Sequence, residues 1–163
     1  LLDLALAGSG LAPRTVCIAK SDVKYYPLLN LFWYGGGNVF LDRKRLGSAI
    51  ETLDAASSRL KAGECSVWIF PEGTRNTKFG TLLPFKKGAF HTAIAAQVPI
   101  APIVFGNMRK VFDTNNGWFR GGELRLKALD PIPTKGMTKA DVDKLMETVR
   151  NAMLKAMETL EDQ

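Results

Sequence analysis

Short apolar runs bounded by glycine or proline alternate with segments of helical period, and that alternation restricts the chain to an α/β layer fold. Val16-Cys17-Ile18-Ala19 reads as a strand, and Asn38-Val39-Phe40-Leu41 as another after the Gly35-Gly36-Gly37 turn. From Leu46, apolar residues recur at Ala49, Ile50, Leu53, Ala56 and Leu60, which predicts a helix with one buried stripe, stopped by Gly63. Val67-Trp68-Ile69-Phe70 reads as a buried strand stopped by Pro71 and Gly73, and Gly88 to Gln97 as a helix. Ile100 to Phe105 follows as a strand between proline signals. Glu123 to Leu129 follows as a half-exposed strand with Leu124, Leu126 and Ala128 on one face. Thr138 to Leu160 closes the chain as a long amphipathic helix. Its stripe is Val142, Leu145, Val149, Ala152, Ala156 and Leu160, with Thr138 and Asp141 as a capping pair. At 163 residues, with no internal repeat and no long linker, one domain with a single core is expected.

The charge is placed where such folds bind ligands. Open α/β sheets hold their ligands beyond the carboxyl ends of strands. There, Phe70-Pro71-Glu72-Gly73-Thr74-Arg75-Asn76 combines a glycine that admits a close approach, a hydroxyl and a planar guanidinium fork. The same residues also fit a tight turn closed by a Glu72–Arg75 surface ion pair. Asp42-Arg43-Lys44-Arg45 follows the second strand, as an anion site or a solvated loop. Lys86-Lys87 precedes the Gly88 helix, whose N-terminus attracts anions. Together the three favour a phosphate-binding cleft, in keeping with a formal net charge of +6.

Other chemistries lack their residues. The sequence holds no Gly-x-x-x-x-Gly-Lys-Ser/Thr loop, no Gly-x-Gly-x-x-Gly after a strand and no Gly-x-Ser-x-Gly elbow; Gly8-Ser9-Gly10 reads as a loop. His91, the one histidine, shares a helical face with Ile94 and Ala95 and is expected to be packed. With Cys17 and Cys65 it assembles no metal site. Both cysteines read as small buried hydrophobes on strands, which suits a reducing compartment. No apolar run of about 18 residues is present to span a bilayer as a helix. The Tyr25 to Tyr34 stretch is a candidate for seating at a bilayer interface, and packs equally well as core. Nucleic-acid binding is disfavoured, because the cations sit at strand ends rather than in a stripe interleaved with aromatics.

In this order, Gly37-Asn38-Val39-Phe40-Leu41-Asp42-Arg43, Phe70-Pro71-Glu72-Gly73-Thr74-Arg75 and Val98-Pro99-Ile100-Ala101-Pro102-Ile103-Val104 resemble the second, third and fourth motifs of the glycerolipid acyltransferases. Within that family they resemble the 1-acyl-glycerol-3-phosphate (lysophosphatidic acid) acyltransferases. Leu82 to His91 is similar to the family as well, and Ala101 departs from it where a branched residue is usual. The resemblance runs from Leu1 to about Leu160. It implies the family's single-domain α/β fold, a mixed β-sheet with flanking helices.

The family's first motif is a histidine followed, after four residues, by an aspartate. Leu1-Leu2-Asp3-Leu4 resembles its tail, with Asp3 as the aspartate and the histidine as the third residue before Leu1. The resemblance therefore implies an acyltransferase domain, 1–163, cut inside its first catalytic motif, with membrane-anchoring helices upstream. It implies Asp3 as the catalytic carboxylate and Arg43, Arg75 and Lys87 as the grip on the acceptor's phosphate. Gly73 and Thr74 would complete that grip, with Glu72 ordering the loop or meeting the acceptor. The implied substrates are a lysophospholipid and acyl-CoA, with no bound cofactor and no metal. The implied place is a membrane surface, endoplasmic reticulum in a eukaryote or inner membrane in a bacterium. A glycerol-3-phosphate or other lysophospholipid acceptor, and a non-catalytic lipid- or phosphate-binding module, are the alternatives.

Overall fold

The computed structural model describes residues 14–20, 38–41, 46–74, 76, 81–106, 111–113, 117–119, 121–123 and 125–161. The chain divides into two compact units, Leu1–Phe70 and Pro71–Gln163. Helices and small sheets recur through both, so the α/β class stands. Parallel and antiparallel pairings are both present, in separate sheets.

In the first unit β1 (Thr15–Lys20) lies between β2 (Val39–Leu41) and β3 (Ser66–Trp68), parallel to both. Parallel neighbours require a crossover, and α1 (Leu46–Lys61) joins β2 to β3. Val16 and Cys17 are buried on β1, and the Cys17 N–H donates to Asn38 Oδ1 at 2.7 Å. Burial pushes the Cys17 thiol up from its ordinary value, so it stays a neutral packing group. Cys65 is half-buried and precedes β3 rather than lying on it. The third strand is shorter and more exposed than expected, with Ser66 in solvent and Val67 and Trp68 half-buried.

α1 ends as its glycine predicts. Gly63 has φ +69°, its N–H donates to Leu60 O at 3.0 Å, and the Glu64 N–H donates to Arg59 O at 3.1 Å. These are the paired bonds of a Schellman cap. Ala56 is buried, but Ile50 is 52% exposed. Leu53 and Leu60 are half-buried, so among the described residues the buried stripe is narrower than the helical spacing predicts.

The second unit is built on α3 (Val142–Glu161), entered through a 3₁₀ turn at Lys139–Asp141. Asp141 Oδ2 accepts from the Thr138 N–H at 2.8 Å and from its hydroxyl at 2.9 Å, so the expected capping pair forms. These bonds hold the Asp141 carboxyl below its ordinary value. Their support is present above about pH 3.8 and fades as pH falls through the folded pKa. α3 buries Val142, Leu145, Val149, Met153 and Ala156 against Phe85, Phe90, Ile94 and Val104. Met153 is buried where the expected stripe had Ala152 and Leu160, both half-buried.

α2 (Gly88–Ala96) contributes Phe90 and Ile94 to this core. His91 and Ala95 are four apart on its exposed face, so His91 is not the packed histidine expected. Gln97 ends α2 in the left-handed region at φ 57°, a conformation usually left to glycine. Its amide compensates by donating to Ile94 O at 2.6 Å and Met137 O at 3.0 Å and by accepting from the Gly136 N–H at 2.6 Å.

The apolar run Ile100 to Phe105 forms a strand only over β4 (Ile103–Phe105), because Pro102 has no N–H for a ladder. Ile100 still pairs with Ile132 as a bridge. β4 lies antiparallel to β7 (Leu126–Ala128). Leu124 lies outside the described residues, and Ala128 is exposed, contrary to expectation. β5 (Phe112–Asp113) and β6 (Trp118–Phe119) form a small hairpin that the sequence reading did not anticipate. Among the described residues no helix is long and apolar enough to cross a membrane.

Thr134 is buried, and its hydroxyl donates to Val98 O at 2.8 Å, tying the loop before α3 to the segment after α2. Thr134→Val keeps the shape and leaves that carbonyl unpaired. It is expected to cost about 1–3 kcal/mol, seen as a lower denaturant midpoint with an unchanged slope.

Candidate active site

The segment Pro71-Glu72-Gly73-Thr74 is a turn held from behind by residues 81–87 of the same unit. The Lys86 N–H donates to Pro71 O at 2.8 Å, and the Leu83 N–H donates to Glu72 Oε2 at 3.2 Å. Gly73 is buried with φ +67°, a backbone conformation that favours glycine. A Cβ there would stand 2.9 Å from Lys86 Cδ and Cε and 3.2 Å from its Nζ. The Lys86 side chain thus lies along the turn, with its ammonium beside the Gly73 backbone. Thr74 is exposed, and Asn76 beyond it donates to Thr81 O at 2.7 Å.

The turn has a second support in α3. Arg150 donates from Nη1 to Leu83 O at 2.8 Å and from Nη2 to Leu82 O at 2.7 Å. Its guanidinium also lies 5.4 Å over the Phe85 ring, which stacks in turn on Phe90 with centroids 6.0 Å apart. Glu72 feels this arrangement. Burial raises its carboxyl above the ordinary 4.5 and is the largest influence, while the Leu83 N–H and the Arg150 charge pull it back down. A raised folded pKa means that its contribution to stability is full below about 4.5 and is lost as pH rises through the folded pKa. At neutral pH the fold carries this half-buried carboxylate at a cost in stability, which is common at functional sites.

Of the expected site residues, the structure brings Glu72, Gly73 and Thr74 together in one turn. Asp3, Arg43 and Arg75 lie outside the described residues, as do the Gly35-Gly36-Gly37 turn and the Tyr25 to Tyr34 stretch. Lys87 is at the N-cap of α2, and its Nζ pairs with Asp143 of α3 at 2.7 Å. That ion pair is exposed on both sides and of small worth, so Lys87 is steered toward α3 rather than locked there. The lysine lying against the turn is its neighbour Lys86, which the sequence names as one of the pair before the helix but does not single out for the phosphate grip. Two adjacent lysines before a helix look alike until the backbone bond to Pro71 fixes which one faces the glycine. Arg150 gave no signal either, being separated from Leu82 and Leu83 by most of the second unit. Among the described residues no group of His, Cys, Asp and Glu is placed to hold a metal ion.

The model of the acyltransferase family matches residues 1–106, well over half of the chain. The chain belongs to that family. Curated relatives agree with this. The 1-acyl-sn-glycerol-3-phosphate acyltransferase alpha of Homo sapiens is 40% identical over 153 residues, 94% of this chain and 54% of its own. The 1-acyl-sn-glycerol-3-phosphate acyltransferase of Saccharomyces cerevisiae is 36% identical over 160 residues, 98% of this chain and 53% of its own. The crystal structure of the 1-acyl-sn-glycerophosphate (LPA) acyltransferase from Thermotoga maritima superposes with a TM-score of 0.78 at 28% identity, covering 98% of this chain and 62% of its own. The chain therefore has the acyltransferase fold, and it spans about half the length of the curated relatives it matches. The matched residues include Asp3, Arg43, the turn, Lys86 and Lys87; α3 and Arg150 lie beyond them.

Proposed function

We propose that the protein carrying this acyltransferase chain transfers an acyl group from acyl-CoA to the free hydroxyl of lysophosphatidic acid, giving phosphatidic acid. The observation that carries the reading is the Glu72-Gly73-Thr74 turn, braced by Leu83 and Lys86, in a chain similar over nearly its whole length to enzymes named for this acceptor. In the mechanism, a histidine upstream of Leu1 takes the proton of the acceptor hydroxyl. The oxygen attacks the thioester carbonyl, and the tetrahedral intermediate collapses with departure of the thiolate, which takes the proton back from the imidazolium. Asp3 accepts a hydrogen bond from the other ring nitrogen, which fixes the tautomer and stabilises the imidazolium. The acceptor hydroxyl is itself the nucleophile, so no acyl-enzyme is required.

Arg43, Arg75 and Lys87, with Lys86 added by its place beside Gly73, hold the acceptor's phosphate, and the Gly73 backbone and Thr74 hydroxyl complete the grip. Glu72 keeps the turn in register through Leu83. The substrates carry acyl chains, so the reaction belongs at a membrane surface. Arg75→Ala is expected to raise the acceptor KM by about tenfold or more while leaving the donor KM near its starting value, as loss of a charged hydrogen-bond donor to phosphate predicts. Equal effects on both substrates in steady-state kinetics would remove Arg75 from the phosphate grip.

Thiol release from acyl-CoA by the full-length protein, in detergent or lipid, tests the proposal. Release that requires lysophosphatidic acid and disappears in Asp3→Ala supports it. A folded protein that releases no thiol with any lysophospholipid or with glycerol-3-phosphate contradicts it and leaves a lipid- or phosphate-binding module.

A further inference from the structure

We infer that Arg150 is a positioning residue of the acyltransferase site, reaching from α3 through the Leu82–Leu83 peptide to set the Glu72 carboxylate and the turn that follows it. The inference rests on the reading of that turn as the acceptor-phosphate site.

The connection is specific in its atoms. The peptide unit between Leu82 and Leu83 has its carbonyl on Leu82 and its N–H on Leu83. Arg150 Nη2 donates to that carbonyl at 2.7 Å, and that N–H donates to Glu72 Oε2 at 3.2 Å. A cation on the oxygen of an amide polarises it and makes its N–H a stronger donor, so the guanidinium strengthens the bond to Glu72 without touching it. Nη1 takes the next carbonyl, Leu83 O, at 2.8 Å. That peptide precedes Pro84 and has no N–H to polarise, so the second bond serves orientation: two prongs on consecutive carbonyls fix the segment's rotation. The Phe85 ring under the guanidinium fixes the third direction.

Arg150 is half-buried on a helix whose buried stripe is apolar, and it gives two of its donors to consecutive loop carbonyls. Pairing those carbonyls steadies the segment, and because one of them belongs to the peptide whose N–H meets Glu72, the same bonds also hold Glu72 in place. Among the described residues, the charge that acts on Glu72 is that of Arg150 from α3; Lys86 lies against the next residue, Gly73, and Lys87 is engaged by Asp143.

The test compares Arg150→Gln and Arg150→Lys with the unaltered full-length protein, with the folded fraction of each followed by circular dichroism. Arg150→Gln is expected to raise the acceptor KM about tenfold, with donor KM and kcat changed far less, the size expected when a charge-supported hydrogen bond is lost. It is also expected to move the acid limb of acceptor kcat/KM to higher pH, because the Arg150 charge holds the Glu72 carboxyl down. Arg150→Lys keeps the charge and loses the fork, so it restores the acid limb and only part of the KM. In a Glu72→Gln background, Arg150→Gln is expected to add little. A folded Arg150→Gln protein with unchanged acceptor KM and acid limb overturns the inference, as does a full effect persisting in the Glu72→Gln background.

A readout without turnover separates this inference from the reading beneath it. The Glu72 carboxyl carbon, assigned by its loss in Glu72→Gln, is expected to titrate at higher pH in Arg150→Gln by NMR. No change there overturns the Arg150 role. Absent turnover in the unaltered protein, with that titration shifted, overturns the functional reading instead.

Discussion

Gly73→Ala is expected to lower acceptor kcat/KM by about 10- to 100-fold while leaving the donor KM close to its starting value, the scale of loss that a displacement of about an ångström produces at a reacting site. Two physical changes act together. The left-handed φ of +67° costs an alanine about 1–2 kcal/mol, which the turn relieves by rotating its backbone. The new methyl also occupies the space of Lys86 Cδ and Cε, and the lysine, being flexible, swings off the turn rather than breaking it. The protein therefore stays folded with a small loss of stability, and its anion grip is opened. Steady-state kinetics on both substrates, with a denaturation curve on the same preparation, check this. A protein destabilised by the expected amount but unchanged in acceptor KM would show that Gly73 matters to the fold alone.

Leu145→Ala is expected to carry the largest stability cost in the second unit, about 3–5 kcal/mol. Leu145 is 1% exposed, in the first turn of α3 and part of the stripe that the helix lays against Phe85, Phe90, Ile94 and Val104. Truncation removes the buried methyl groups and leaves a cavity that helices anchored at both ends cannot close. Against a typical total of about 5–15 kcal/mol, such a loss brings the unit near its unfolding threshold. Lys144→Ala, exposed on the same helix, is the control and is expected to change stability by less than about 0.5 kcal/mol. Denaturant midpoints of the two variants compare them directly; equal midpoints would mean that α3 does not carry the core.

The last helix and the turn were legible in the sequence because several local signals coincide there. Val142, Leu145, Val149 and Ala156 keep one face through about four turns, and Thr138 with Asp141 marks where it starts. The turn is legible because glycine, threonine and arginine follow a strand where a ligand is expected. Other features were hidden for identifiable reasons. His91 is three residues from buried Ile94 and four from exposed Ala95, and spacing alone does not say which neighbour's side it takes. The β5–β6 hairpin did carry a signal, Asn116-Gly117 with Gly117 at φ +66°, but two-residue strands are too short for any period to show. Gln97 ends α2 where a glycine would have announced the cap, and the side-chain bonds that permit it come from residues about 40 positions away. The choice between Lys86 and Lys87, and the reach of Arg150 to Leu82 and Leu83, likewise depend on contacts that no local pattern encodes.

The central claim is that this turn binds the phosphate of the acceptor, and the most direct measurement compares acceptors that differ only in that group. Full-length protein is given acyl-CoA with either lysophosphatidic acid or the monoacylglycerol of the same acyl chain, in the same detergent, and thiol release is followed. The account predicts that lysophosphatidic acid is preferred in kcat/KM by tenfold or more, as about 1.5–3 kcal/mol per charged hydrogen bond implies. It also predicts that most of the preference disappears in Gly73→Ala. Equal turnover of the two acceptors by the unaltered protein, or a preference that Gly73→Ala leaves intact, would contradict it.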